Sequence, residues 1–149
     1  MIDTLPDVTT GLINSLIESC AQCRRSLSDA AQAVADPCLS RELALFCQQQ
    51  EQFAQELAAR LTMYGDAPAP HDSASSRSAG SPLDGGDRLS ILLACEQSST
   101  SMVAAFRRAL GQDIAPQFSG VIEAQYEAIQ EAHERIKVLR SWAATDEVH

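Results

Sequence analysis

Residues 9–43 read TTGLINSLIESCAQCRRSLSDAAQAVADPCLSREL, and two features inside this stretch decide the fold. Ile13, Leu16, Cys20, Cys23, Leu27, Ala30 and Val34 recur at alternating steps of three and four, the spacing that lines one face of an α-helix. Asp36 and Pro37 follow. An aspartate can accept hydrogen bonds from the open N–H groups of a new helix, and proline suits the first helical position, where no N–H is needed. One helix therefore stops and another starts within a few residues, which makes the two antiparallel neighbours.

The same reading extends outward from that turn. The second helix carries Leu39, Leu43, Phe46, Gln50, Phe53, Leu57, Arg60 and Tyr64 on its seam, with Gly65 as its stop. Residues 65–86 are rich in proline, serine and glycine and nearly lack large apolar side chains, the composition of a mobile or loosely draped linker. The third helix opens near Asp87, with Leu89, Leu92, Glu96, Ser99, Val103, Phe106 and Leu110 on its seam, and ends at Gly111. The fourth has Pro116 in its first turns and Phe118, Ile122, Gln125, Ile129, Ala132, Ile136, Leu139 and Ala143 on its seam. No segment alternates with the period of two that marks a strand. The expectation is an all-α four-helix bundle in a single domain: a helical hairpin over 9–64, a linker over 65–86 and a second hairpin over 87–144. A helix of about 26 residues is ~39 Å long and 22 extended residues span up to ~70 Å, so the linker can cross the whole bundle. In that arrangement the second and third helices run parallel, and Cys23, Gln50, Ser99 and Gln125 fall at about one level, with Cys20 and Glu96 within a turn.

Composition narrows the function classes. The chain has 149 residues with 20 acidic against 11 basic, a net charge of −9, which repels phosphate backbones and anionic lipid and argues against nucleic-acid and membrane partners. The start has no basic region of the kind that opens a secretion signal, and the longest apolar run, near Ile91 to Cys95, is far shorter than the ~20 residues of a membrane span. A cytoplasmic protein with five reduced cysteines is expected.

The blocks Ile13-Asn14-Ser15-Leu16-Ile17-Glu18-Ser19-Cys20, Ala35-Asp36-Pro37, residues 49–57 (QQEQFAQEL), Ile91 to Glu96, and Gln125 through His133 to Leu139 occur in a distinctive order and spacing. Together they resemble a family of small proteobacterial ferritin-like four-helix-bundle proteins known only as a domain of unknown function. The resemblance covers nearly the whole chain and implies a ferritin-like bundle with very little assigned chemistry. It also implies acidic residues where this chain has Arg24 and Ser99.

Ferritin-like carboxylate sites need a Glu from each of two helices and a Glu-x-x-His from each of the others, because hard iron ions want several oxygen donors. The nearest match here is Gln130-x-x-His133, where a neutral amide replaces the carboxylate, and the second helix has no histidine. The metal site is therefore expected to be degenerate, with no cofactor. Cys20 and Cys23, spaced i, i+3, face the same way and could hold a soft ion, or could simply fill two core positions. Their mid-helix place lacks the helix N-terminus that activates redox Cys-x-x-Cys pairs. Cys47 and Cys95 flank their seams, and Cys38 lies at the turn. Glu96, on a seam, needs a partner: Arg24, Gln50, Gln125 or a proton. His133 borders the fourth seam. His71 and His149 carry no role. Gly85-Gly86 follows no strand and precedes no Gly-Lys-Ser or Gly-Lys-Thr, so it is not a phosphate loop.

The expected function is a non-catalytic bundle, not an enzyme, that acts as a homo-oligomer or with a protein partner. Apolar residues off the seams, namely Leu12, Leu45, Leu61, Met63, Met102 and Trp142, are its candidate contacts. The alternative is a metal-binding or metal-storing bundle that uses Cys20, Cys23, Glu96 and His133.

Overall fold

The computed structural model describes residues 7–64 and 87–148. They form four helices, α1 (Asp7–Ala33), α2 (Pro37–Met63), α3 (Arg88–Leu110) and α4 (Pro116–Val148), with no strand among the described residues. The Gly65 stop and the linker over 65–86 lie outside them. The turn at Asp36 forms as its sequence dictates: the Asp36 side chain accepts from Cys38 N at 2.9 Å, and Pro37 occupies the first turn. Asp87 caps α3 in the same way, accepting from Ser90 N at 2.7 Å. Gly111 caps the end of α3 in the right-handed region, with φ −80°, so the position makes no special demand for glycine.

Cross-helix contacts place the ends of the helices. Tyr64 meets Phe118 with ring centroids 6.1 Å apart, so the end of α2 lies at the start of α4. Arg135 bonds Glu42 toward the other end of the same pair. Val34, Ala35 and Asp36 share a cleft with Asp87, Arg88 and Ile91, so α3 starts beside the α1–α2 turn. Tyr64 and Asp87 therefore sit at opposite ends of the bundle, α3 runs parallel to α2, and the crossover topology holds. α1 packs closely on α2 and α3, and α4 on α3, while the backbones of α2 and α4 stand further apart and meet through long side chains.

The core follows the seams of α1 and α4 closely. Ile13, Leu16, Cys20, Cys23, Leu27 and Ala30 are buried on α1, and Phe118, Ile122, Ile129, Ile136, Leu139 and Ala143 on α4. On α3 the buried stripe is broader than the seam and rotated from it: Ile91, Cys95, Met102 and Ala109 are buried, while Leu89, Glu96 and Leu110 are half-buried. The cause is that α3 is flanked by both α1 and α4, so a third position per turn pair is covered. Met102, an expected contact residue, is a core residue for this reason, and Leu61 on α2, another, is also buried in the core. Leu12 is half-buried against the core, and Leu45, Met63 and Trp142 are exposed. By length and composition α3 alone among the described helices could cross a membrane, yet here Ile91, Leu92, Met102 and Phe106 supply the centre of the core.

Candidate functional site

The polar residues of mid-bundle fall into two groups. The first joins α3 to α4. Ser99, buried on α3, places its Oγ 2.5 Å from His133 Nδ1 and 3.0 Å from the Glu96 carbonyl oxygen. The hydroxyl has one proton: if Ser99 gives it to that carbonyl, His133 Nδ1–H is the donor to Oγ, and in the other tautomer Ser99 donates to a bare Nδ1. Thr100 Oγ1 donates to the same carbonyl at 2.8 Å. The Glu96 side chain is held elsewhere, by Arg140, whose Nε donates to Oε1 at 2.5 Å and whose second guanidinium nitrogen lies 3.5 Å from Oε2.

Sequence reasoning missed that partner. Arg140 lies off the α4 seam, but α4 runs antiparallel to α3, and a long arginine on its flank reaches the half-buried Glu96. Gln125 does not share the level of Ser99 as expected: His133 does, and Gln125 lies eight residues, ~12 Å, further along α4. Its Nε2 donates instead to Glu56 Oε1 on α2 at 2.8 Å and lies 3.5 Å from the Phe53 carbonyl oxygen. Counting from the shared turn gives no signal for Arg140: Glu96 lies 14 residues before Leu110, the end of α3, whereas Arg140 lies 24 residues after Pro116, the start of α4.

The second group is thiol. Cys20, Cys23 and Cys95 are buried, Cys47 is half-buried and Cys38 is exposed, all five as free thiols. Burial pushes Cys23 up to about 12, helped by the nearby Cys95 and Cys47, and burial pushes Cys95 up to about 12 as well. Cys20 is raised further, by burial first and then by Cys23. Cys47 is raised by burial and by Glu51, against the opposing pull of Arg24, and donates weakly to the Arg24 carbonyl at 3.4 Å. Cys23 thus lies within electrostatic reach of a thiol on each of α1, α2 and α3. The apolar setting keeps these groups protonated and poorly nucleophilic.

The four sequence-selected residues do not converge. Cys20 and Cys23 lie on the apolar face of α1, Glu96 is engaged by Arg140, and His133 by Ser99. Among the described residues no group of three or more His, Cys, Asp or Glu is placed to hold a metal ion. The residues present do not fit a carboxylate-bridged iron pair. The interior instead holds amides, and the Oε1 atoms of Gln50 and Gln125 and the Nη2 of Arg24 are buried without a partner.

At the end of the bundle where α2 and α3 begin, a cleft of about 230 Å³ opens between α2, α3 and α4. Leu39, Leu92, Leu139 and Ala143 form its floor, and Glu42, Arg135 and Trp142 its edge. The Arg135 guanidinium bonds both Glu42 oxygens and sits 5.1 Å above the Trp142 ring. The Glu42 hydrogen bond and the negative charge behind it raise the Arg135 pKa above its ordinary value.

No protein-family model matches the chain, and no curated protein does. Among solved structures, a mutant of the Dps1 protein of Mycobacterium smegmatis superposes with a TM-score of 0.66 at 14% identity, over 90% of this chain and 98% of that one. With four helices in crossover order, the chain has the fold of a ferritin-like four-helix bundle.

Proposed function

We propose that the chain is a non-catalytic bundle that acts by association, with itself or with another protein, and that its metal site is degenerate. The observation that carries this reading is the set of large apolar side chains left exposed across the four helices, Val8, Leu45, Met63, Leu93, Val138 and Trp142, with Met63 at 77% and Leu45 at 59% exposure. Apolar residues of this size left outside a core mark contact surfaces. Degeneracy of the metal site is supported by the ion pair that occupies Glu96 and by the amides of Gln50 and Gln125. A cytoplasmic, nucleic-acid-free role is proposed from the charge of −9. Sedimentation across concentration tests the association: an assembly that Leu45→Glu with Val138→Glu disperses supports it, and a monomer at every concentration overturns its self-associating form.

A second reading is a bundle that holds a soft ion through its thiols, favoured by the position of Cys23 within reach of Cys20, Cys47 and Cys95. Two or three thiolates suit Zn(II) or Cu(I). Tight one-to-one uptake of either ion, lost when Cys20 and Cys23 are both changed to Ala, would establish it.

A further inference from the structure

We propose that the cleft between α2, α3 and α4 is one half of a two-fold contact, filled by Trp142 of a second copy of the chain while this copy's Trp142 fills the other's. The inference rests on the association reading and names its partner and its key residue.

Three observations converge on a second copy. Trp142 stands at the edge of the cleft, more than half exposed, and the cleft of about 230 Å³ is of the size that one large aromatic side chain fills. Its floor of Leu39, Leu92, Leu139 and Ala143 is apolar, so an indole entering it trades water for hydrocarbon. Key and lock lie on the same stretch of α4, because Leu139 and Ala143 flank Trp142 in sequence. A surface that carries both a projection and a matching recess within a few residues is complementary to itself, and a two-fold axis beside it satisfies both at once.

Charge selects the same face. Two chains of charge −9 repel one another wherever acidic surface meets acidic surface. The edge of this cleft is balanced: Glu42 is neutralised by Arg135, and Asp36 and Arg88 add one charge of each sign. The Arg135 guanidinium is stacked on the indole and fixed by Glu42, so the aromatic anchor is already oriented and loses little freedom on docking.

Trp142 is the single tryptophan of the chain, so its fluorescence reports this contact directly. Wild-type protein is diluted from high to low micromolar concentration while mass is followed by light scattering and Trp142 by emission maximum and acrylamide quenching. The expected result is a dimer whose emission is blue-shifted and shielded, reverting to a solvent-exposed spectrum as the dimer dissociates. Trp142→Ala should weaken dimerisation at least tenfold with an unchanged helical circular dichroism spectrum, and Trp142→Phe should restore part of it. A dimer in which the indole stays open to quencher, or which Trp142→Ala leaves intact, would overturn this inference and leave the association reading standing. A monomer at every concentration would overturn both this inference and self-association. If that monomer binds an anilinonaphthalene sulfonate probe with quenching of Trp142, the cleft belongs to a small apolar ligand.

Discussion

Ser99 Oγ and His133 Nδ1 lie 2.5 Å apart, joining the middle of α3 to the middle of α4 through a half-buried hydrogen bond. Its neighbours make it a structural tie: Ser99 also contacts the backbone of its own helix, and the adjacent carboxylate of Glu96 is held by Arg140 rather than by the imidazole. A double-mutant cycle should read the tie as coupling. Ser99→Ala and His133→Phe are each expected to cost about 1 kcal/mol, with a coupling of about 0.5 to 1.5 kcal/mol in urea unfolding. Strict additivity would mean that the two side chains do not interact in solution.

Gln50 should be improvable. Its side chain is buried and its Oε1 lacks a partner, an arrangement that costs about 1 to 3 kcal/mol unless water satisfies it. Gln50→Leu is expected to raise the urea midpoint by the equivalent of about 1 kcal/mol with no change in slope. A lower midpoint would point to an ordered water bonded to this amide.

Glu96 should tolerate change better than a fully buried carboxylate would. Its side chain is 23% exposed and that of Arg140 33%, so either partner can turn toward water. Glu96→Gln is expected to cost less than about 1 kcal/mol, and Glu96→Leu about 1 kcal/mol, measured by thermal unfolding. A loss of 3 kcal/mol or more would indicate a pair shielded from solvent.

The thiols should make the fold alkali-sensitive. Cys23 and Cys95 titrate near 12 in the folded chain against 9.0 when unfolded, and Cys20 is raised as well. A raised folded pKa contributes stability that is intact below pH 9 and is lost as pH rises from 9 toward 12, because only the unfolded thiols can ionise. At pH 10 each is expected to cost about 1.4 kcal/mol relative to pH 7, roughly 4 kcal/mol for the three. Changing Cys20 and Cys23 to Ala should lower stability at pH 7 by about 1 to 3 kcal/mol through the cavities left and should flatten the decline above pH 9. An unaltered decline would assign the alkaline sensitivity to other groups.

Local chemistry made much of this protein legible before folding. The three-and-four spacing of Ile13 through Ala30, and of Phe118 through Ala143, marks buried faces because helical geometry alone aligns those side chains. Asp36-Pro37 marks a helix start because capping is a matter of the few residues around it. Tertiary structure decided what depends on two helices at once. Cys95 and Met102 are buried because α3, flanked on two sides, covers more of its surface than one seam predicts, and the buried stripe is rotated so that Glu96 is only half-buried. The pairing of Glu96 with Arg140 and of Ser99 with His133, instead of a level shared with Gln125, follows from how far α4 slides along α3. That axial offset is set by side-chain packing and by the short connection over 111–115, and periodicity within a single helix carries no information about it.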